Sequence, residues 1–466
     1  RFELGRAFCL PVLESILKKY TMLLQIIIFT VLLDPARAWV YTNPISGLIR
    51  TEHNKRWQQQ QRAMAKFQLR SVTFPSEQAV LRERLPSGRL DPSRYPTLTQ
   101  LKKAVDPSAF KIDTARSLAY FCLDLGAVSL SSVALLSLVH SQFYLGASQV
   151  LQFILPIPLQ IISGTFLWAM WCVGHDAGHG TVSSSKLING IIGEISHSML
   201  CLTPFDPWRR SHKRHHMNHN HLTKDYSHQW FDETEDLPGW IQASYQTRNI
   251  QLPILYLVYL LLGIPDGDHV FLYGRVWEGA SNGDLARGYL SSAITTASAL
   301  GLLAALGFTG FAEVVFAPWL VMSTWLFATT YLQHHGSDTK LYTDDTWSFT
   351  VGGFETIDRD YGGWVNKVTH HMSSDHVAHH LFPWSVPHYG LSLATKGIKR
   401  ELANQGLSEL HQVIPTKAFP LEIVRQFDRS WFWVKEENIV RECIAECPVD
   451  FAEEYALQEV ASAEAL

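Results

Sequence analysis

The chain has 466 residues, of which 47% are hydrophobic and 12% aromatic, and its formal net charge is only -4 at pH 7. This length accommodates one large domain or two small ones. Nothing in the charge indicates nucleic-acid binding, which requires a concentrated basic surface. The six cysteines form no Cys-x-x-Cys pair, so the usual cysteine-based zinc and redox motifs are excluded.

The first 110 residues contain two predicted segments. Residues 23–33 form an apolar run of signal-peptide length, and residues 36–38 supply the small-x-small pattern of a cleavage site. Residues 38–70 carry six Lys or Arg against one acid. We therefore predict a signal or targeting segment at 1–38 and a basic, transit-like region at 39–110. This arrangement is similar to the presequences of algae with secondary plastids and indicates a plastid membrane. The alternative to a cleaved segment is a membrane anchor that is never removed. The alternative location is the endoplasmic reticulum.

Four apolar runs further along are long enough to cross a membrane, since a hydrocarbon core requires about 20 residues. They are residues 117–139, 150–173, 289–311 and 314–332. The connections within each pair of runs are short and lack Lys and Arg, whereas the longer segments are basic. By the positive-inside rule, the longer segments share the cytosolic or stromal side. We predict an all-α integral membrane fold, with four transmembrane helices forming two hairpins below a helical cap.

Two weaker apolar runs, at 252–265 and 187–204, are predicted to lie on or dip into the membrane surface. A single full crossing by either run would place the histidine-rich regions on opposite faces. The membrane domain is predicted to span residues 111–425. Residues 426–466 are predicted to form an acidic C-terminal tail.

Histidine is concentrated in two windows: 15 of the 21 histidines lie in residues 175–221 and 334–380. Both windows follow a predicted hairpin, so they meet on one face. They contain three clusters, which are His175 and His179 in HDAGH, His212, His215 and His216 in HKRHH, and His376, His379 and His380 in HVAHH. On a helix, the i, i+4 spacing places two side chains on one face. We expect each i, i+3, i+4 triplet to direct its three imidazoles toward one point.

Eight imidazoles are too many for one metal ion, and they suit two ions with open positions. Imidazole binds iron, copper, zinc and nickel, so the ligand type alone does not identify the metal. The position of the clusters at the mouth of a membrane hairpin favours a lipid substrate and redox chemistry with O2.

Two functions other than redox chemistry on a lipid also account for parts of this pattern. HDAGH is similar to the His-Glu-x-x-His motif of zinc proteases, but Asp176 stands where that motif needs a glutamate base. A metal transporter would carry its ligands within the spans, and these spans contain no histidine. Acyl hydroxylation or acetylenation at the same centre stays open.

The three clusters resemble the three histidine boxes of the membrane fatty acid desaturase family. The surrounding segments GHDAGHGTVS, LTPFDPWRRSHKRHH and residues 356–389 are similar to the methyl-end, omega-6 and omega-3 types. The resemblance extends over about residues 115–425. It implies an O2-dependent enzyme that inserts a cis double bond toward the methyl end of a lipid-linked acyl chain, with delta-12 and omega-3 regiochemistry both open.

The resemblance also implies a di-iron centre held by the eight box histidines. Possible additional ligands are His334 and His370. Carboxylates that we expect to orient ligand imidazoles, by accepting their second N–H, are Asp176, Asp225 and Asp375. Other histidines nearby are expected to be solvated or to lie behind the ligands: His219, His221, His228, His335, His371 and His388.

The electrons are expected to come singly from a separate carrier, ferredoxin or cytochrome b5, because the sequence has no His-Pro-Gly-Gly haem segment. A basic patch would suit an acidic carrier by charge complementarity, or it is the ordinary basic flank of a membrane protein. The patch consists of Arg209, Arg210, Lys213 and Arg214. Trp168 and Trp171 either close an apolar acyl tunnel or belong to an interfacial belt. Homo- and hetero-oligomers both remain open.

Overall fold

The computed structural model describes residues 91–225, 231–232, 272, 275–335, 339–415, 433–434 and 438–441. All of them lie in Arg82–Leu466, the second of two units into which the chain divides. The predicted targeting segment 1–38, the apolar run 252–265 and His228 lie outside the described residues. The described part is mostly helical.

The α-helices are numbered in chain order. They are α1 (Leu98–Ala104), α2 (Thr114–Val139), α3 (Gln142–Leu145), α4 (Gln149–Ile154), α5 (Ile157–His179), α6 (Lys186–Gly193), α7 (Phe205–Asn218), α8 (Asn282–Phe311), α9 (Ala317–His334), α10 (Phe349–Phe354), α11 (Gly363–Val368), α12 (His376–Leu381) and α13 (Leu391–Asn404). Two π-helical segments, Glu194–Leu200 and Ala312–Phe316, continue α6 and α8.

Three helical stretches are long and apolar enough to cross a membrane: Thr114–Val139, Gln149–His179 and Asn282–His334. The third has 53 residues. At about 1.5 Å per residue, an unbroken helix of this length would far exceed a hydrocarbon core of about 30 Å. Gly307, with φ 65° and ψ 176°, interrupts the stretch with a non-helical conformation. The backbone therefore divides it into two helical segments.

Local signals set the ends of these helices. The Asp113 side chain caps α2 by accepting a hydrogen bond from the Arg116 backbone N at 3.1 Å. At its C-terminus, α5 terminates at Gly180 in the left-handed conformation, a common helix stop. Thr114 Oγ1 lies 2.9 Å from Ser183 Oγ. The start of α2 and the end of α5 therefore lie side by side.

Helix α5 is central to the membrane part, since it packs against both α2 and α9. Gly164 permits the close approach of α9, because an added Cβ would lie 2.4 Å from Val321 Cβ and 2.5 Å from the Pro318 carbonyl. Small residues at such crossings are typical of membrane helices. Apolar side chains elsewhere on the spans, such as Leu123 and Leu130, are 68% and 75% exposed in the absence of lipid. Exposed apolar surfaces of this kind are typical of helices that face lipid.

The helices and strands outside the three long apolar stretches, apart from the short α3, are called the cap, and part of the cap has an apolar core of its own. This core unites α1, α12 and α13, and Leu101, Val377 and Ile398 in it are each 0% exposed. Ala109, also fully buried, belongs to the same core. Residues from the predicted N-terminal region 39–110 thus take part in the packing of the cap.

Short strands complete the cap, contrary to the prediction of an all-α fold. Three parallel pairs form: β1 (Phe231–Asp232) with β5 (Trp433–Val434), β2 (Leu341–Tyr342) with β6 (Ile439–Val440), and β3 (Asp358–Asp360) with β4 (Val413–Pro415). Strands of two or three residues are too short to produce a periodic sequence pattern. Ile439 and Val440 are buried, so this part of the predicted acidic tail belongs to the fold.

Candidate metal centre

The histidine clusters lie on four helices that meet in the cap. The last turn of α5 carries His175 and His179, and the last residue of α9 is His334. Helices α7 and α12 carry the other two clusters. The histidines of the four helices contact one another, so all four helices present them at one place, at the C-terminal end of α5.

Five imidazoles converge to form what we call the first histidine group. They are His175, His179, His212, His216 and His379, whose candidate ligand atoms lie within 4.8 Å of one another. The Nε2 atom of His212 is 2.9 Å from that of His175 and 3.0 Å from that of His216. His379 Nε2 lies 3.0 Å from His216 Nε2. The nitrogens thus face a common centre.

A second histidine group adjoins the first. His215, His334 and His380 place their ligand atoms within 4.8 Å of one another. His376 Nε2 lies 3.3 Å from His334 Nε2, and we include His376 in this group. The rings of His216 and His380 stack with their centroids 4.2 Å apart. The two groups are therefore direct neighbours.

Each triplet divides its side chains between the two groups, so the expectation that three imidazoles point to one place is wrong. In α7, His212 and His216 join the first group and His215 joins the second. The physical reason is helix geometry: with 3.6 residues per turn, neighbouring positions i+3 and i+4 differ by about 100° around the axis. In α12 the assignment reverses, since His379 joins the first group. Two helices thereby serve both groups.

The chemistry of these side chains fits divalent metal ions. Burial lowers the pKa of His215 and of His376 to about 3, so both are neutral near pH 7. Neutral imidazole is the form that binds metals. Neither ring nitrogen of the buried His380 has a hydrogen-bond partner among the described residues. Buried polar atoms normally find partners, and a metal ion would supply one here.

The three predicted carboxylates differ in their surroundings. Both carboxylate oxygens of Asp225 lie 3.0 Å from His215 Nδ1, so this nitrogen donates to Asp225 and the other is left to face the second group. Asp176 instead accepts hydrogen bonds from His388, and its Oδ1 lies 3.7 Å from the Nδ1 of His175. The carboxylate of Asp375 lies beside His371, and in the described interactions this carboxylate contacts none of the eight box histidines.

The two possible additional ligands also separate. His334 lies in the second group, as described above. His370 lies in neither group, because its Nε2 is 2.7 Å from Asp124 Oδ2 in helix α2. His219, which was expected behind the ligands or in solvent, is buried, with Nε2 2.9 Å from His334 Nδ1. The sequence does contain an indication of this position: His219 lies four residues after His215, a spacing that places both side chains on the same face of a helix.

Three other histidines are buried rather than solvated. His221 pairs with Asp344 at 3.2 Å, and His335 Nδ1 lies 3.2 Å from the Tyr331 carbonyl oxygen. His388 is 3% exposed and donates to Asp176. The solvated alternative is therefore wrong for these three.

The predicted basic patch is partly occupied by contacts within the protein. Arg209 forms an ion pair with Asp206. Arg210 Nε donates to the Val276 carbonyl at 2.7 Å, and its guanidinium lies 5.2 Å from the ring centroid of Trp277. These contacts attach α7 to residues 275–277. The role of the patch in docking an electron carrier stays a prediction.

Aromatic rings line the membrane side of the first group. Trp168 and Trp171 are 2% and 1% exposed, so they do not belong to an interfacial belt. Trp208 stacks on His212 with ring centroids 4.5 Å apart, and its edge contacts Trp171 at 5.3 Å. Trp171 in turn stacks on His197 at 4.0 Å. The candidate ligands therefore rest on an apolar aromatic layer.

Apolar helices long enough to span a membrane, with two adjoining groups of largely buried imidazoles at one end, define a class: a membrane protein with a histidine-rich site that could hold metal ions. The family model for fatty acid desaturases matches residues 152–412. The chain belongs to the fatty acid desaturase family, within its omega-6 and omega-3 subgroup, and it is a lipid acyl desaturase.

Curated relatives agree with this assignment. An acyl-lipid omega-3 desaturase (cytochrome b5) of the endoplasmic reticulum from Arabidopsis thaliana is 34% identical over 69% of this chain and 81% of its own length. The sn-1 acyl-lipid omega-3 desaturase (ferredoxin) of Synechocystis is 35% identical over 65% of this chain and 80% of its own. A delta(12) fatty acid desaturase of Caenorhabditis elegans is 31% identical over 57% of this chain and 68% of its own length.

Proposed function

We propose that the two histidine groups bind two iron ions and that the enzyme inserts a cis double bond toward the methyl end of a lipid-linked acyl chain. The observation that carries this proposal is the pair of adjoining groups of buried imidazoles. The proposed ligands are the eight box histidines together with His334. Bound iron would supply the O2-dependent oxidation of an unactivated C–H bond.

The surrounding residues would prepare these ligands. Asp225 accepts the Nδ1 proton of His215 and thereby fixes its orientation and tautomer. The Met372 carbonyl does the same for His376, whose Nδ1 lies 2.8 Å away. The buried Trp168 and Trp171 exclude water from the membrane side, where the acyl chain would approach. Water exclusion protects a reactive site from side reactions.

The proposed membrane topology has four crossings. Helices α2 and α5 would form the first hairpin. The 53-residue stretch Asn282–His334 would cross twice, with its reversal at Gly307, where the helix is interrupted. The histidine groups would then lie in a cap on the cytosolic or stromal side. This arrangement agrees with the basic character of the long segments between the hairpins.

Electrons would come from a separate carrier protein. The names of two relatives specify ferredoxin and cytochrome b5, respectively. The first would apply to a plastid membrane and the second to the endoplasmic reticulum. The half-buried basic side of α7, including Lys213, is the proposed docking region. The proposed organisation is a membrane domain centred on residues 111–425, preceded by a targeting region and followed by an acidic tail, with Leu101 and Val440 packing against the domain from these flanking regions.

Expression in yeast, which supplies oleate and its own cytochrome b5, tests this function. We expect linoleate to appear, or an omega-3 double bond after linoleate is fed, when fatty acid methyl esters are analysed for double-bond position. The His376→Ala variant is expected to form no product, because it removes an imidazole of the second group.

The matched control is His140→Ala, since His140 is an exposed histidine at the far end of α2. This variant should retain the wild-type product yield. No new double bond from well-expressed, iron-loaded protein, even with ferredoxin co-expressed, would contradict the proposal. A hydroxylated product would show that the same centre carries out a different oxidation.

A further inference from the structure

Four polar residues connect transmembrane helix α2 to the first histidine group, and the proposed chemistry makes no use of them. In spatial order they are Asp124, His370, His388 and Asp176, which we call the α2 network. We propose that the α2 network positions the imidazole of His175 for metal binding. This inference rests on the proposed function, because His175 is one of the proposed iron ligands.

Two hydrogen-bonded pairs, joined by a ring contact, lead from the span toward the ligand. His370 Nε2 lies 2.7 Å from Asp124 Oδ2, and the rings of His370 and His388 are 4.4 Å apart between centroids. The backbone N and the Nδ1 of His388 lie 2.9 and 2.8 Å from Asp176 Oδ2. The other oxygen of Asp176 is 3.7 Å from His175 Nδ1.

Two features of this network are energetically unfavourable in themselves. Asp124 is a buried acid within an apolar membrane span, where ionisable residues are costly and usually functional. His370 and His371 both have positive φ, at 54° and 59°, which residues with a side chain seldom adopt. Tyr120 packs its ring edge against His370 at 5.4 Å and against His388 at 4.7 Å. Apolar residues would pack these helices at lower cost.

His175 Nδ1 has no hydrogen-bond partner among the described residues, and Asp176 Oδ1, 3.7 Å away, is positioned to become its acceptor when His175 binds metal. A histidine that binds metal through Nε2 carries a proton on Nδ1 and requires an acceptor there. The two donations from His388 hold one oxygen of Asp176 in place, so the other oxygen faces His175. His370, anchored by Asp124, supports the ring of His388. Loss of either anchor would leave the Asp176 carboxylate free to rotate away.

The first test compares two substitutions at His388 in the purified full-length protein. His388→Leu removes the donor to Asp176, whereas His388→Asn retains a nitrogen at the position of Nδ1. The measurement is the rate at which an iron chelator removes each iron. We expect His388→Leu to release one of the two irons about tenfold faster than wild type, at the lower end of the effect of residues that support metal ligands. His388→Asn should restore slow release.

His221→Leu is the matched control, because His221 is also a buried histidine paired with an aspartate, Asp344. It should leave iron release unchanged. Equal release rates in His388→Leu and His221→Leu would overturn the inference. So would equally fast release in His388→Asn, because shape rather than the donated hydrogen bond would then be responsible.

Asp124→Leu provides a second, independent test. Leucine is favourable in a membrane span, so impaired insertion would not explain an effect. We expect faster release of the same iron, with no further acceleration in the Asp124→Leu/His388→Leu double variant, because both act through Asp176. An unchanged rate in Asp124→Leu, or multiplied effects in the double variant, would overturn the network. Wild-type protein that binds no iron would instead overturn the proposed function itself.

Discussion

Replacing His379 by alanine is expected to reduce desaturation by more than the roughly 100-fold loss that follows from changing a residue behind a metal ligand. His379 comes from α12, whereas its neighbours in the first group come from α5 and α7. Its Nε2 lies 3.0 Å from that of His216, and its ring centroid is 4.6 Å from that of His175. The variant lacks the ligand that attaches α12 to the first group.

The product formed per amount of membrane-inserted protein measures this effect. Iron content should fall to about one ion per chain, because the second group keeps all its imidazoles. His140→Ala again serves as the control for loss of a histidine. Activity of His379→Ala within tenfold of wild type would show that His379 is not a ligand.

The Gly174→Ala substitution is expected to have the second-largest effect. The added Cβ would lie 2.4 Å from His197 Cδ2 and 2.8 Å from Ser196 Cβ, distances that require the two helices to separate. Overpacking of this kind costs about 1–3 kcal/mol. Because Gly174 immediately precedes His175, the shift also displaces a ligand of the first group. We expect both a lower unfolding temperature and a severe loss of activity.

Gly190→Ala is the matched control, since Gly190 also lies in a helix and an added Cβ there would meet no atom within 4 Å. Alanine in place of glycine stabilises a helix interior by about 0.5–1 kcal/mol. This variant should retain activity and unfold at the same temperature or higher. Thermal unfolding followed in detergent compares the two variants. Equal stability and activity in both would contradict the packing described for α5.

Much of the fold and of the site could be predicted from the sequence. Long apolar runs identify membrane helices because every backbone polar group in lipid must be paired within the helix. The i, i+4 spacing of His175 and His179 correctly placed both on one helix continuing from a span. The density of histidines predicted a histidine-rich site, and the structure brings the clusters together as two adjoining groups.

Other features depend on tertiary contacts that no local spacing encodes. Local spacing directs His215 and His216 to different sides of α7, but the group that each joins follows from which helices face α7 on that side. The pairing of His370 with Asp124 joins residues 246 positions apart. The short parallel strands form only because the cap brings their segments together. In each case the contact is determined by the residues that a segment meets in the folded chain, rather than by the local sequence pattern of that segment.

Metal analysis of the purified wild-type protein, combined with product analysis after one cycle of reduction and exposure to O2, tests the central claim most directly. The two histidine groups predict two irons per chain and a new double bond in a lipid-linked acyl chain, formed only when both irons are present. One iron per chain with full activity, or full activity with zinc in place of iron, would contradict the account.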